Sequence, residues 1–290
     1  EAAQKKISEI EQNKYEVAKF NENLDFLKKV HTFFDESTKI DWVELEKNPA
    51  PFNKLDTNVV GPKEQQAIEA LNNYEPGFFA KLFGKAEKVK AELEQDIIKA
   101  HDEDVENYEE WQNLHDLAIE VNKGNPEAYL AVVSNMEPFA DMVDIGSNFE
   151  VGSEIPKTME VEFKVNSHDA IPQEILSLTS TNKISKKAIT KTMYNDLYQD
   201  YTCSCIIRVA RELFALLPID SLIVHACDDF VDSATGHNYD DTVVSVKFGR
   251  REFLSINFNN IDPSDAIENF NHEMDFQKLK GFSPVGRLKF

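Results

Sequence analysis

The chain has 290 residues, with 52 Asp and Glu against 31 Lys and Arg, a formal net charge of −21. Twenty Phe, eight Tyr and two Trp within an apolar fraction of 41% exclude disorder, which needs few aromatics. No run approaches the roughly 18 consecutive apolar residues of a membrane span. The first residues, Glu-Ala-Ala-Gln-Lys-Lys, have neither an apolar signal core nor an initiator Met. A parent chain extending further upstream is the expectation.

The charge is uneven. Residues 1–150 carry 32 acids and 16 bases, net −16, whereas residues 151–290 carry 20 and 15, net −5. Between Asp102 and Glu120 lie eight acids and no Lys or Arg. Such a surface repels phosphate backbones, so the N-terminal half is unsuited to nucleic acid. Three cysteines, Cys203, Cys205 and Cys227, fit no disulfide framework and point to a reducing compartment. The C-x-C pair falls in an expected helix, where positions i and i+2 diverge, so buried thiols are expected rather than metal ligands.

In chain order, residues 1–35 read as one long amphipathic helix. Ile10, Val17 and Leu24 recur every seven residues beside Phe20, Leu27 and Phe34. Lys14 and Asn21 interrupt a coiled-coil seam, so docking of residues 17–34 on a globular body is expected, with the first dozen fraying. Asp41 is placed to cap a short helix that ends before Pro49. Helices follow at Pro62–Asn72 and from Phe78 to about Ala100, the latter continuing or breaking near Asp102 into Val105–Val121. Gly124-Asn125-Pro126 stops one helix and starts the next, which runs to Met136. The small residues of 146–157 predict a linker between a helical domain, 1–145, and a second domain, 158–290.

Within 158–290, Met159, Val161, Phe163 and Val165 alternate with charged residues as a half-buried strand does. Pro172–Leu178 is ambiguous. Ser185 is expected to cap a long helix reaching Leu217, with Ile206, Val209, Ala210, Leu213 and Leu217 on its core face. Strands are expected at Ser221–Cys227, Thr242–Phe248 and Phe253–Phe258, the last two joined by Gly249-Arg250-Arg251-Glu252. Asp262-Pro263 starts a helix running to about Met274, and the tail from Gly281 is extended. The expected class is α+β: an all-helical N-terminal half, then a mainly antiparallel sheet with helices on one face.

Ile40-Asp41-Trp42, Tyr198 to Tyr201, Arg208 to Pro218, Ile261 to Asp265 and Gly281 to Val285 resemble an uncharacterised family of bacterial and phage proteins. Some members of that family carry a small basic β module ahead of a helical segment. The resemblance implies a prokaryotic cytoplasmic origin and an upstream module, and it carries over no catalytic residue.

Two constellations could carry chemistry. His225, Cys227, Asp228, Asp229, Asp232, His237, Asp240 and Asp241 crowd what reads as a long loop between strands. Of these, His225, Asp228, Asp229, Asp232 and His237 are the candidate ligands of a divalent cation, although loops also use such residues for turns. A degenerate nuclease core would place Asp229 (or Asp228) at one strand end, Ser245-Val246-Lys247 on the next strand and Glu212 on the preceding helix. Ser245 stands where a second carboxylate belongs, which removes a metal ligand. Arg208 and Glu212 read as a helix-surface ion pair.

Lys183, Lys186, Lys187 and Lys191, then Lys247, Arg250 and Arg251, then Lys278, Lys280, Arg287 and Lys289 make a basic C-terminal patch if they converge. Such a patch can meet nucleic acid or the protein's own acidic half, and intramolecular or homomeric charge complementarity is the expected use. The sequence has no P-loop, G-x-G-x-x-G or G-x-S-x-G motif, so no cofactor is expected beyond a divalent cation under the enzymatic reading. The leading expectation is a non-enzymatic cytoplasmic interaction protein whose acidic helical surface meets a protein partner or a second copy. The alternative is a metal-dependent nuclease-like hydrolase or phosphoesterase around residues 225–247, and no membrane partner is expected under either.

Overall fold

The computed structural model describes residues 2–34, 39–54, 59–77, 85–142 and 146–290. The chain divides into two compact units, residues 41–123 and the combination of 1–40 with 124–290. The expected boundary at 146–157 is therefore not where the chain divides. Residues 146–152 form a strand, and residues 1–40 belong with the C-terminal sheet.

The unit of residues 41–123 is helical. Helices α2 (Trp42–Lys47) and α3 (Pro62–Asn72) both pack on α4 (Lys85–Lys123). Asp41 caps α2 as expected, its carboxylate accepting the Glu44 N–H at 3.0 Å. The α3 start is capped from outside: the buried Asp104 of α4 accepts the Glu64 N–H at 2.8 Å. A Cβ on Gly61 would overlap that carboxylate, so the close approach needs glycine. α4 runs through Asp102 without a break, and the part of its expected start at Phe78 to Gly84 lies outside the described residues. At 39 residues it is about 58 Å long. Trp111 donates its indole N–H to the Asn48 carbonyl at 3.0 Å, tying the loop after α2 to this helix.

The other unit holds α1 (Ala2–Lys28), α5 (Pro126–Met136), α6 (Ser167–Ala170), α7 (Lys191–Leu216), α8 (Arg250–Phe253) and α9 (Pro263–Ile267). Its strands are β1 (Gly146–Gly152), β2 (Thr158–Val165), β3 (Glu174–Leu178), β4 (Ile184–Ala188), β5 (Ser221–Val231), β6 (Asn238–Gly249), β7 (Asn271–Gln277) and β8 (Gly281–Ser283). Six strands make one sheet in the order β1-β2-β5-β6-β7-β8, parallel only between β2 and β5, and β3 pairs with β4 separately. This is the expected α+β class with a mainly antiparallel sheet.

Four expectations change. Ser185 lies in β4, and α7 starts at Lys191 because the Thr190 hydroxyl, not Ser185, accepts a helix-start N–H, from Met193 at 3.2 Å. Residues 225–231 and 238–241 are strand, so the supposed long loop shrinks to a turn around Asp232 to His237. Phe253–Phe258 is no strand: Arg250–Phe253 is the helix α8, and the third strand of the meander is β7. The helix opened by Asp262 and Pro263 ends at Ile267, and after a turn at 268–270 the chain enters β7 at Asn271. In each case sheet pairing or a nearby ring cluster overrides local pattern.

α7 supplies the core, with 17 of its residues buried, including Ile206, Val209, Ala210 and Leu213. It covers the sheet face formed by Met159, Val161, Phe163, Leu222, Val224, Ala226, Val244, Val246 and Phe248, all fully buried. α1 docks on α7 and β3, burying Val17 and Leu27 while Ile7 stays 57% exposed, and Val30 in the 3-10 turn that follows is also buried against α7. Docking of residues 17–34 is thus the arrangement adopted. Buried His31 fixes the junction: its N–H and ring Nδ1 both contact the Ser204 hydroxyl, at 3.0 and 2.7 Å. Among the described residues no helix is long and apolar enough to cross a membrane.

Candidate functional site

The expected nuclease trio does not converge. Asp229 sits at the exposed end of β5, where Lys164 bridges it and Asp240 at 2.7 and 3.0 Å. Lys247 pairs in register with Ile223, six residues back along the same strand, roughly 20 Å away. Glu212 is on α7, across the sheet from Lys247, in a buried ion pair with Arg208 at 2.5 Å. The Arg208–Glu212 pair exists as expected, but in the interior rather than on a helix surface. Burial pushes the Glu212 carboxyl up, and Arg208 works against that.

The expected metal ligands also part company, because successive strand residues face opposite sides. Asp228 points toward α7 and accepts hydrogen bonds from Ser167, at 2.7 Å, and from Tyr198. His225 points to the opposite face. Asp232 closes the hairpin turn by accepting from the Ala234 N–H and the Thr235 hydroxyl, both at 2.8 Å, and His237 is exposed beside it. Among the described residues no group of three or more His, Cys, Asp or Glu side chains gathers as a metal site.

What the strands do assemble is a polar row on the sheet face away from α7. Register places Glu162 beside His225 and His225 beside Ser245. His225, with no exposed surface, contacts Glu160 through Nε2 at 3.0 Å and Ser245 through Nδ1 at 2.9 Å. A carboxylate can only accept, so Nε2 carries the hydrogen; a neutral ring has one, so Nδ1 accepts from the Ser245 hydroxyl. Burial lowers the pKa of His225 below its ordinary 6.5, while Glu160 pulls the other way. The order Ser–His–Glu is that of a nucleophile relay. Ser245 nevertheless has no exposed surface, and its oxygen already accepts the backbone N–H of Leu288 at 3.0 Å. No substrate carbonyl reaches it in this arrangement; the row holds the C-terminal segment onto the sheet.

That segment also walls a cleft of about 550 Å³, lined by residues 150–155, Glu160, Glu162 and residues 287–290. Glu150 and Glu162 are directly opposed on β1 and β2, a repulsive pairing that Arg287 relieves by binding Glu162. Burial opposes the Glu162 charge, but Arg287 prevails and holds its carboxyl below the usual range.

The basic groups do not pool either. Arg250 donates to the Phe214 and Leu217 carbonyls at 2.8–2.9 Å and so caps the C-terminal end of α7. Lys278 pairs with Asp196, and Lys247 lies over the Phe290 ring. Lys183, Lys186 and Lys187 belong to the exposed β3–β4 hairpin.

Cys203 and Cys205 are wholly enclosed. Burial pushes the Cys205 thiol up to about 12 and the Cys203 thiol further still. Both should stay unmodified by a thiol reagent over hours in native buffer and react stoichiometrically in denaturant, as followed by mass spectrometry. Labelling of both without denaturant would contradict the placement of α7.

Sequence reasoning misses Glu160 and weighs Ser245 only as the position of an absent carboxylate. The alternation of β2 marks Glu160 as facing away from the apolar side, but nothing local announces that a tail covers that face. No family model, curated protein or solved structure matches this chain.

Proposed function

We propose that this is a non-enzymatic interaction protein of a prokaryotic cytoplasm, and that the helical unit of residues 41–123 presents an acidic face to a basic protein partner. One observation carries the reading. On α4, from Asp102 to Glu120, eight carboxylates occur with no Lys or Arg, and Asp102, Glu106 and Glu110 are exposed. The unit as a whole carries 19 acids and nine bases in 83 residues, net −10, nearly half of the chain's charge. Ile98 and Leu114, 63% and 44% exposed on the same helix, add apolar contact area to the charge. Carboxylates along a rigid helix attract a Lys- and Arg-rich segment over about a Debye length, ~8 Å in physiological salt. The same field repels nucleic acid. The hydrolase reading has no comparable support, since its residues are dispersed.

The test is fluorescence anisotropy with a labelled Lys- and Arg-rich peptide. The combined change Asp102→Lys, Glu106→Lys and Glu110→Lys should weaken binding at least about tenfold, given roughly 0.5 kcal/mol or more for each reversed contact. Reversing the exposed Glu9, Glu11 and Glu22 of α1 removes as much charge and should leave affinity within about twofold. Equal losses in both variants would reduce the effect to net charge and sink the assignment to α4.

A further inference from the structure

We propose that residues 284–290 are a strap across the polar face of the sheet, seated on Ser245 and released when His225 takes up a proton. The strap is fastened at named points. Val285 N–H donates to the Thr242 carbonyl at 2.9 Å, and Arg287 Nε donates to the Thr242 hydroxyl at 2.9 Å. The guanidinium also reaches Glu162 and, at 3.5 Å, the Cys227 sulfur. Leu288 N–H lands on Ser245 Oγ, and the Phe290 ring lies 4.9 Å from Lys247 Nζ. Cys227 is 5% exposed, its sulfur touching Glu162 at 3.5 Å and Thr242 at 3.6 Å as well as Arg287.

The proton inventory makes this seat conditional. With His225 neutral, every hydrogen in the line from Leu288 N–H through Ser245 and His225 to Glu160 has an acceptor. With His225 protonated, both ring nitrogens donate. Ser245 must then accept from Nδ1 as well as from Leu288, and its own hydrogen loses the acceptor it had. A buried unsatisfied donor and a buried charge both oppose the closed state, and opening the strap hydrates them.

The charged groups around the ring are Glu160, Glu162 and Lys164 on β2, Lys247 on β6, Glu273 on β7 and Arg287 on the strap. Burial disfavours the imidazolium and so does Arg287; together they prevail over Glu160 and Glu162, which favour it. Because the closed form holds the proton less well than a free imidazole, closure is fully favoured above about pH 6.5 and weakens as pH falls below it. His272 pairs with Val246 and lies on the α7 side, so it does not share this role.

Cys227 reports strap opening. Its rate of reaction with 4,4′-dithiodipyridine is measured in the full chain and in His225→Gln, whose amide keeps a donor for Glu160 and an acceptor for Ser245 at every pH. Dividing the two rates removes the reagent's own pH dependence. The ratio should be near one at pH 7.5 and rise severalfold by pH 5.5, with about tenfold as the upper limit one pH unit below the ordinary imidazole value. Cys203 and Cys205 should remain unlabelled throughout, which separates strap opening from unfolding. Deuterium uptake of residues 284–290 in the unaltered chain, corrected for intrinsic exchange, should lose protection over the same interval. A flat rate ratio, or a strap equally protected at both pH values, overturns the proposal.

Discussion

Replacing Glu212 with Ala should lower stability by about 3 kcal/mol, because it leaves the Arg208 guanidinium buried beside a lost partner. The two side chains are 6% and 3% exposed and 2.5 Å apart, and Arg208 Nε has no hydrogen-bond partner among the described residues. Asp141 remains at 2.9 Å, which keeps the loss toward the lower end for a broken buried pair. Replacing both members, Arg208→Met with Glu212→Leu, should instead come out within about 1 kcal/mol of the parent, since desolvation and attraction leave together. Urea unfolding followed by exposure of Cys203 and Cys205 is the measurement, as both thiols lie on the same helix. A double variant as unstable as Glu212→Ala would show that the pair itself specifies the packing of α7.

The second large effect is expected at Phe253. It is fully buried with ring centroids of Phe214, Phe248 and Phe258 at 5.0–5.1 Å and of Phe270 at 6.2 Å. Phe253→Ala should cost about 3–5 kcal/mol, the transfer of a large apolar side chain plus the cavity it leaves. The readout is again unmasking of the buried thiols in urea. Both tryptophans, Trp42 and Trp111, fall in residues 41–123, so their fluorescence follows the other unit and serves as the comparison. A loss below about 1 kcal/mol would contradict the ring cluster that turns residues 250–253 into a helix.

That cluster shows where sequence reasoning stops. Phe253-Leu-Ser-Ile-Asn-Phe258 reads as a strand by residue type, yet Phe253 is pulled into a five-ring cluster whose members are up to 56 residues apart. Lys186–Ala188 reads as the start of a helix capped by Ser185, but its backbone hydrogen bonds go to β3. Local propensity has no access to either partner. By contrast, Asp41, Asn125 with Pro126, and Asp262 with Pro263 mark helix starts correctly, because a cap acts within three residues of itself.

The candidate site divides the same way. Composition and spacing by themselves determine the α+β class, the acidic stretch from Asp102 to Glu120, the apolar face of α7 and the two sides of β2. These depend on neighbours one helical turn or two strand positions away. Only the tertiary structure decides that Asp228 and His225 face opposite sides of one sheet, that Glu212 is enclosed with Arg208, and that a C-terminal strap covers the Glu160–His225–Ser245 row. Each depends on strand register or on contacts between residues far apart in the chain, and a one-residue change of register would turn His225 to the α7 side.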